Sequence, residues 1–340
     1  MKTLALVDSF GIDALRWIER DPPRPGPGEV LVRITAASIN YRDRDIVAGK
    51  RALRLPLIPV SDACGIVTAV GAGVARFAAG DRVMPCFVQG WADGRIPPVE
   101  SLPTLGGPLD GVLTEYGCWP EAGLVGVPPH LSDIEAATLP CAAVSAWNAL
   151  FGEGALRPGD AVVVQGTGGV SLFALQFAKL AGARVIVISS SAAKLERAKA
   201  LGADHGIDYV ERPEWGSDVR ALAPEGVDCV VEVGGRGTLK QSIVAARNGG
   251  RISFVGFLGG TAADFDLGEL SRKAIRLTGI RVGHRASFEA MCRAIDAARL
   301  RPVIDSSFAF ADSIEALRRF DTASHFGKLC IDFVGSEGRK

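Results

Sequence analysis

The chain has 340 residues, which is long enough for two domains that each bury a hydrophobic core. Because 38 basic residues are matched by 38 acidic ones, no surplus of positive charge is available to bind the phosphates of a nucleic acid, and we exclude that class of partner. The N-terminal apolar run is too short and too polar for a signal peptide or a membrane span, so we expect a cytoplasmic protein without membrane contact.

The first part of the chain is predicted to be β structure. Residues 29–38 alternate apolar and polar side chains, which is typical of a half-buried strand. Residues 65–85 predict two strands separated by glycine turns. Residues 86–107 are rich in proline and glycine, and a loop of that length is usually a lid or a binding loop that shapes a pocket.

The pattern changes near Pro129. Ser132, followed three residues later by Glu135, forms a capping box and predicts the start of a helix. From residue 161, an apolar strand, a glycine-rich turn, an amphipathic helix and a second apolar strand follow one another. Further apolar strands are predicted at 227–235, 251–260 and 275–283. This order is typical of a parallel sheet that helices cover on both faces.

The end of the chain predicts one more helix and one more strand. The helix pattern covers residues 287–299, and the strand pattern covers residues 326–335. We expect this last strand to return to the first domain.

The glycine-rich turn has the sequence context of a dinucleotide-binding site. Glycines let the backbone approach a pyrophosphate, whose charge is stabilised at the N-terminus of the following helix. This turn follows a buried strand and opens a helix, which is the context that the motif requires; the alternative is a purely structural turn. Ser171 replaces the third glycine of the common motif and is small enough for close packing. The predicted contacts are Gly166, Thr167, Gly168, Gly169 and Val170.

Three serines and a lysine follow the second strand of this unit, where an Asp or Glu usually binds a ribose 2′-hydroxyl. Hydroxyl groups and an ammonium suit a 2′-phosphate, which a carboxylate would repel. We therefore favour NADP(H) over NAD(H), bound by Ser189, Ser190 and Lys194. The alternative is that Ser191 caps the next helix and that Lys194 is solvated. Capping and a phosphate site can also occur together, since a helix N-terminus favours anions.

Neither the seven cysteines nor the four histidines show a metal-binding pattern. No pair of cysteines is spaced C-x-x-C, and the histidines lie far apart in the sequence. In a cytoplasmic protein we expect the cysteines to be reduced thiols that mostly fill the core.

Five segments together resemble the medium-chain dehydrogenase/reductase superfamily. They are, in chain order, PGPGEVLVRITAASINYRD, GIVTAVGAGVARFAAGDRV, LPCAAVSAWNAL, VVVQGTGGVSLFALQFAKLAGARVI and HFGKLCI. The resemblance implies an α/β protein with a GroES-like β domain at 1–128, completed by 286–340, and a Rossmann doubly wound parallel-sheet domain at 129–285. It also implies an active site in the cleft between the domains and a homodimer.

The resemblance raises the question of zinc. At the positions of the superfamily's catalytic zinc ligands the chain has Asn40, Ser61 with Asp62, and Cys141. One thiolate without an imidazole does not make a three-ligand site, so we expect no catalytic zinc and a buried Cys141 thiol. In the loop that carries the structural zinc of alcohol dehydrogenases, Cys86 stands alone, so we expect no structural zinc.

Zinc-free quinone oxidoreductases of this superfamily share the N-Y-R-D that starts at Asn40. They transfer the 4-pro-R hydride of NADPH to a quinone or to the β-carbon of an enone. Asn40 and Tyr41 are candidate hydrogen-bond donors to the carbonyl oxygen on which charge develops, unless they only shape the cleft. Asp43 and Asp62 are expected to orient their neighbours.

The resemblance implies further contacts with the cofactor. Ser145 is expected to face the nicotinamide, Tyr209 the 2′-phosphate and Lys328 the pyrophosphate. The residues expected beside the nicotinamide ring are Gly256, Phe257, Leu258, Val282, Gly283, His284 and Arg285. His284 and the bulky Phe257 depart from the superfamily's pattern.

Together these observations favour an NADPH-dependent, zinc-independent oxidoreductase that transfers hydride to an enone, a quinone or an aldehyde. One alternative is an NAD(P)-dependent alcohol dehydrogenase that oxidises a small alcohol. An alternative of another class is a non-catalytic NADPH-binding protein. The complete cofactor-binding pattern favours an enzyme.

Overall fold

A computed structural model describes residues 1–98, 102–152, 154, 156–262 and 265–334. The chain divides into two compact units, one formed by Met1–Val144 with Gly283–Lys340 and the other by Ser145–Val282. We call them the GroES-like unit and the Rossmann unit.

The strands and helices of the described residues are numbered in chain order. The strands are β1 (Lys2–Leu6), β2 (Leu15–Glu19), β3 (Glu29–Ser38), β4 (Asp62–Val70), β5 (Arg82–Pro85), β6 (Tyr116–Pro120), β7 (Leu124–Gly126), β8 (Ala161–Gln165), β9 (Arg184–Ser189), β10 (His205–Asp208), β11 (Val227–Glu232), β12 (Ala246–Phe254), β13 (Arg276–Gly279), β14 (Ile304–Ala309) and β15 (Lys328–Asp332). The helices are α1 (Tyr41–Val47), α2 (Asp133–Ala136), α3 (Val144–Phe151), α4 (Gly169–Leu180), α5 (Ala192–Ala200), α6 (Trp215–Leu222), α7 (Leu239–Ala245), α8 (Leu267–Arg272), α9 (Arg285–Ala298) and α10 (Ser313–Asp321). No helix among the described residues has the length and apolar composition to cross a membrane.

The GroES-like unit is built on a sheet in the order β14-β15-β3-β4-β5-β7, with β6 also paired to β3. Strand β3 occupies the predicted residues, and β4 and β5 confirm the two strands predicted at 65–85. Strand β15 runs antiparallel to β3, with Cys330 opposite Ser38, which confirms that the end of the chain returns to the first domain. Apolar side chains of β3, β4 and β15 pack into one core.

The segment predicted as a long loop is partly paired. Val88 and Thr104 form a bridge, and the Gln89 N–H donates to the Pro103 oxygen at 2.9 Å. Pairing of this kind was missed because the proline and glycine content of 86–107 obscures any strand periodicity. Residues 99–101 of the predicted loop lie outside the described residues.

The capping box at Ser132 and Glu135 is confirmed, because each side chain binds the other residue's backbone N–H. The helix that it opens is short, and a π-helical turn at Leu139–Ala143 follows. Helix α2 packs on β3 and β4, and the π-helical turn packs on β4. These contacts place residues 129–144 in the GroES-like unit, whereas the sequence pattern predicted them in the Rossmann domain.

The Rossmann unit is a six-stranded parallel sheet in the order β10-β9-β8-β11-β12-β13. This confirms the predicted parallel sheet. The short β10 was not predicted, because its four residues include a histidine and a glycine. The strand order reverses between β8 and β11, and ligands of such sheets bind beyond the carboxyl ends of the strands at that point.

Candidate functional site

The glycine-rich turn leaves β8 after Gln165 and opens α4. Gly166 has a φ of +74°, a conformation that glycine adopts without strain, and its N–H donates to the Ile188 oxygen at 2.7 Å. Ser171 Oγ donates to the Gln165 oxygen at 2.6 Å, which ties the first turn of the helix to the strand end. The predicted residues 166–170 therefore surround the N-terminus of a 12-residue helix.

This helix N-terminus has the features of an anion-binding site. Gly168 is its N-cap, and no side chain makes a capping hydrogen bond there. A Cβ added to Gly168 would meet no heavy atom within 4 Å, so the space in front of the first turn is open. The first backbone N–H groups of a helix need acceptors, and a pyrophosphate supplies them. The residues present therefore fit a dinucleotide.

The predicted 2′-phosphate residues lie at the carboxyl ends of β9 and β10. The Tyr209 N–H donates to the Ser189 oxygen at 3.1 Å, which holds the two strand ends together. Ser189 is buried, whereas Ser190 and the Tyr209 side chain are exposed. Lys194 lies in the first turn of α5, so the fold brings all four predicted residues to one edge of the sheet.

One acidic residue at this edge of the sheet was not predicted from the sequence. Asp208 ends β10 directly opposite Ser189. Its carboxylate accepts a hydrogen bond from the Val210 N–H at 2.9 Å, which fixes the turn after the strand. In the sequence, this acid lies far from the end of β9, and pairing of β9 with β10 brings it close.

Helix capping by Ser191 is confirmed, because its Oγ accepts from the Lys194 N–H at 3.4 Å, and the 2′-phosphate site stays a prediction. Ser191→Ala should therefore lower the free energy of unfolding by about 1 kcal/mol, measured by urea denaturation. The ratio of the dissociation constants for NADPH and NADH should stay unchanged. A changed ratio with unchanged stability would show that Ser191 contacts the cofactor.

A buried carboxylate at the end of β11, Glu232, was also missed. Its exposure is 0 %, and it accepts five hydrogen bonds. The donors are Gly234 N at 2.8 Å, Gly235 N at 2.9 Å, Thr238 Oγ1 at 2.5 Å, Gln165 Nε2 at 2.7 Å and Ser242 Oγ at 2.5 Å. Because Gln165 directly precedes the glycine turn, Glu232 ties that turn to the loop after β11. The sequence signal was an acid ending an apolar strand before two glycines.

Residues predicted beside the nicotinamide occupy both units. Ser145 and Val282 lie in the Rossmann unit and are buried, whereas Phe257 and Leu258 are 51 % and 55 % exposed. Val282 has a φ of +44°, which is strained for a β-branched residue, and the Asn148 side chain donates to its oxygen at 2.7 Å. Such strain is concentrated at functional sites.

Gly283, His284 and Arg285 belong to the GroES-like unit. His284 is the N-cap of α9, where its Nδ1 accepts from the Ser287 N–H at 3.0 Å. Its ring packs edge-on against Trp91, and the Arg285 N–H donates to the Trp91 oxygen at 3.0 Å. These contacts hold the start of the loop that follows β5, and a role of the three residues at the nicotinamide stays a prediction.

The predicted catalytic positions of the GroES-like unit form a buried polar cluster. We call it the Lys328 cluster, and its members are Asn40, Asp43, Ser61, Asp62, Cys141 and Lys328. All are buried except Cys141, which is partly exposed, whereas the sequence predicted a buried thiol. Tyr41 lies at the start of α1 but is 37 % exposed, with the Arg44 guanidinium over its ring. The structure therefore brings three of the four predicted catalytic residues together and leaves Tyr41 at the surface of the unit.

The cluster is held by one chain of hydrogen bonds. Lys328 Nζ donates to Asn40 Oδ1 at 2.6 Å, and Asn40 Nδ2 lies 3.5 Å from Ser61 Oγ. Ser61 Oγ donates to one oxygen of Asp62 at 2.7 Å, and the Cys141 N–H donates to the other at 3.0 Å. Burial raises the pKa of Asp62, and the Lys328 ammonium opposes that rise. Burial also raises the pKa of the Cys141 thiol.

Asp43 supports the same cluster from the first turn of α1. Its carboxylate accepts from the Asn40 N–H at 2.7 Å. Burial raises its pKa to about 6, and the neighbouring Arg42 guanidinium opposes that rise. Arg42 in turn donates to the oxygens of Leu105 and Gly107, at 2.7 and 2.9 Å. Asp43 and Arg42 therefore connect the cluster to the end of the loop after β5.

The backbone that enters the cluster is strained. Val60, next to Ser61, has a φ of +69°. The Gly111 backbone packs so closely on it that an added Cβ would lie 2.1 Å from the Val60 oxygen. A β-branched residue in this conformation persists only where its surroundings hold it, which is common at functional sites.

These residues do not fit a catalytic zinc ion. Among the described residues no group of three His, Cys, Asp or Glu side chains is placed to hold a metal. Both oxygens of Asp62 already accept hydrogen bonds, and the Lys328 ammonium binds Asn40, where its charge would repel a cation. Catalytic zinc needs three protein ligands, and Cys141 is the one thiol at these positions.

Comparison with known proteins supports the assignment of the two units. Residues 26–129 match the family model "Alcohol dehydrogenase GroES-like domain", and residues 169–297 match "Zinc-binding dehydrogenase". A zinc-type alcohol dehydrogenase-like protein of Schizosaccharomyces pombe is 43 % identical over 331 residues, which cover 94 % of this chain and 96 % of the relative. The structure of a candidate alcohol dehydrogenase of Sinorhizobium meliloti is 46 % identical, with a TM-score of 0.90 and coverage of 94 % of this chain and 95 % of that one.

Two further solved structures differ in their cofactors and substrates. One, an NAD-dependent alcohol dehydrogenase, is 32 % identical, with a TM-score of 0.89 and coverage of 98 % and 100 %. The other, the 2-octenoyl-CoA carboxylase reductase CinF in complex with NADP and 2-octenoyl-CoA, is 26 % identical, with a TM-score of 0.88 and coverage of 99 % and 88 %. Members of the superfamily use a nicotinamide cofactor. The fold, the glycine turn and the relatives together show that this chain is an oxidoreductase of the medium-chain dehydrogenase/reductase superfamily, with a GroES-like and a Rossmann unit.

Proposed function

We propose that the protein is an NADPH-dependent, zinc-independent reductase that transfers hydride to an enone, a quinone or an aldehyde. The observation that carries the choice of NADPH is the edge formed by Ser189, Ser190, Lys194 and Tyr209, which offers hydroxyls and an ammonium next to a helix N-terminus. An activated double bond is supported by CinF, whose structure contains the unsaturated thioester 2-octenoyl-CoA.

Residues of both units have roles in the proposed reaction. The N–H groups of Gly168, Gly169 and Val170 bind the pyrophosphate at the start of α4. The bound cofactor supplies the hydride. Asn40 Nδ2 donates to the substrate carbonyl oxygen, where negative charge develops during the transfer. Asp43 and Asp62 orient Asn40 and Ser61 and do not exchange protons with the substrate; the proton that completes the reduced product comes from water.

Oxidation of a small alcohol is the second candidate. It is favoured by the 32 % sequence identity between this chain and an NAD-dependent alcohol dehydrogenase of known structure. The two candidates use opposite directions of hydride transfer, so they are separated by which cofactor form is consumed.

A substrate panel tests both candidates. Purified protein is mixed with NADPH and, in turn, 2-cyclohexenone, 1,4-benzoquinone and benzaldehyde, and with NADP⁺ or NAD⁺ and ethanol or benzyl alcohol. Absorbance of the reduced nicotinamide is followed, with Gly168→Asp, which places a carboxylate at the pyrophosphate site, as the control. We expect consumption of NADPH with at least one carbonyl compound. Reduction of NAD⁺ by an alcohol alone would favour the alternative, and no turnover with tight binding would favour a non-catalytic NADPH-binding protein.

Zinc independence has its own test. Because Asn40 and Ser61 stand at two of the ligand positions and the Lys328 ammonium binds Asn40, purified protein should contain much less than one zinc per chain by elemental analysis. Prolonged treatment with a chelator should leave the turnover measured in the panel unchanged. Stoichiometric zinc that is lost together with activity, and that Cys141→Ser also removes, would contradict this proposal.

A further inference from the structure

The fold delivers the Lys328 side chain to the end of β3. Gly327 has a φ of +97°, and a Cβ there would lie 2.3 Å from the Val303 oxygen, so only glycine fits before the lysine. The Lys328 N–H donates to that same oxygen at 3.0 Å, and the Ile39 N–H donates to the Leu329 oxygen at 3.1 Å. These bonds fix the start of β15 beside the two residues that link β3 to α1.

The Lys328 ammonium is buried, with the residue only 3 % exposed. It donates to the Ile39 oxygen at 2.7 Å and to Asn40 Oδ1 at 2.6 Å. An ammonium has donors and no acceptor, so the Asn40 amide must turn its oxygen to Lys328 and its NH₂ group away. Lys328 therefore defines the direction in which the Asn40 NH₂ group points.

The place of Asn40 at the start of α1 also constrains its side chain. Asn40 is the N-cap of α1, where an asparagine oxygen ordinarily accepts from the first turn of the helix. Here the Asp43 N–H donates to the Asn40 backbone oxygen at 3.0 Å, and Asp43 takes the Asn40 N–H in return. In addition to this capping box with Asp43, the Asn40 side-chain oxygen accepts from the Lys328 ammonium.

The charged groups around the Asn40 amide keep its oxygen toward Lys328 and its NH₂ group away from it. The hydrogen bonds run from the Lys328 ammonium through Asn40 and Ser61 to the Asp62 carboxylate, so every donor points along one path. A flipped amide would bring its NH₂ against the ammonium. Such a flip would lose the contacts of the amide with Lys328 Nζ and with Ser61 Oγ, and it would place two hydrogen-bond donors against each other.

We propose that Lys328 is a positioning residue: its ammonium locks the Asn40 amide with Nδ2 as the donor that polarises the substrate carbonyl. This role rests on the proposed reductase function. It also differs from the predicted contact of Lys328 with the pyrophosphate. The two roles make different predictions, because a positioning residue acts on the catalytic step and a pyrophosphate contact acts on cofactor affinity.

The first test needs no substrate. The chain has three asparagines, Asn40, Asn148 and Asn248, so labelling with ¹⁵N-asparagine gives three side-chain NH₂ signals, and Asn40→Ala assigns one of them. In Lys328→Met, which removes the charge but keeps the length, we expect the two Asn40 proton shifts to move and their exchange with water to quicken. The Asn148 signals, held by the Val282 oxygen, serve as the internal control. Unchanged Asn40 signals would overturn the proposal.

The second test separates the two roles of Lys328. We expect Lys328→Met to lower kcat by about ten- to a hundredfold with the most active carbonyl compound of the panel. The dissociation constant of NADPH should stay within about twofold of wild type, and Lys328→Arg should restore part of kcat. In the Asn40→Ala background, Lys328→Met should have little further effect.

Two outcomes would overturn the positioning role. One is weaker binding of both NADPH and NADH with unchanged kcat, which would assign Lys328 to the pyrophosphate. The other is a full additional loss of kcat in the Asn40→Ala background. If no compound is turned over, the proposed function fails, whereas the amide signals and the dissociation constants still decide whether Lys328 fixes Asn40.

Discussion

Lys194→Ala is expected to weaken NADPH binding by about ten- to a hundredfold and to leave NADH binding almost unchanged. A charge-assisted hydrogen bond to a phosphate is worth about 1.5–3 kcal/mol, and about 1.4 kcal/mol corresponds to a factor of ten. NADH has a hydroxyl in place of the 2′-phosphate, so it does not use this charge. Titration of both cofactors, followed by protein fluorescence, measures the two dissociation constants.

The matched control is Lys199→Ala on the same helix. Lys199 lies in the last turn of α5 and pairs with Glu196 at 2.7 Å, so its removal should leave both affinities unchanged. Ser189→Asp should reverse the preference, since a carboxylate repels the phosphate and accepts from a 2′-hydroxyl. Equal losses for both cofactors in Lys194→Ala, or a wild type that prefers NADH, would contradict the 2′-phosphate site.

Glu232→Ala should lower the free energy of unfolding by about 3–5 kcal/mol. The change removes a fully buried carboxylate that accepts five hydrogen bonds, two of them from the backbone N–H groups of Gly234 and Gly235. Because Gln165 loses one of its hydrogen-bond partners next to the glycine turn, NADPH and NADH should both bind more weakly, by similar factors. Urea denaturation and the cofactor titrations measure the two effects.

Two further variants serve as controls for Glu232→Ala. Glu225→Ala removes an exposed acid of the same unit and should change stability by less than about 0.5 kcal/mol. Glu232→Gln keeps the shape and one accepting oxygen, so its cost should lie between the two. A loss below about 1 kcal/mol for Glu232→Ala, or a selective loss of NADPH binding, would show that the network does not support the turn.

The Rossmann sheet could be predicted because its strands are buried on both faces. Strand β8 is apolar except for Gln165, and β9 and β11 show similar continuous runs, which stand out from the helices between them. The four-residue β10 lacks such a run, since it is held by its pairing to β9. The unit boundary near residue 144 could not be predicted either, because packing of α2 on β3 and β4 leaves no local signal.

In the candidate site, too, local features could be predicted and contacts between distant segments could not. The glycine turn and the Ser191 cap follow from local backbone requirements, and both were predicted. The Lys328 cluster joins residues that lie up to 288 positions apart in the chain. Sequence comparison placed Asn40, Asp62 and Lys328 among functional positions, but only the pairing of β15 with β3 shows that Lys328 binds Asn40. Glu232 was missed for a related reason, since its donors come from three separate segments.

The most direct test of hydride transfer is to follow an isotope from the cofactor to the product. Protein is incubated with (4R)-[4-²H]NADPH and the enone or aldehyde that the panel shows to react faster, because only these products keep the transferred deuterium on carbon, and the product is analysed by mass spectrometry. We predict that one deuterium appears in the product, at the β-carbon of an enone, and that the (4S)-labelled cofactor keeps its label. No consumption of NADPH with any compound of the panel, or deuterium that remains on the oxidised (4R)-labelled cofactor, would contradict the proposed reductase.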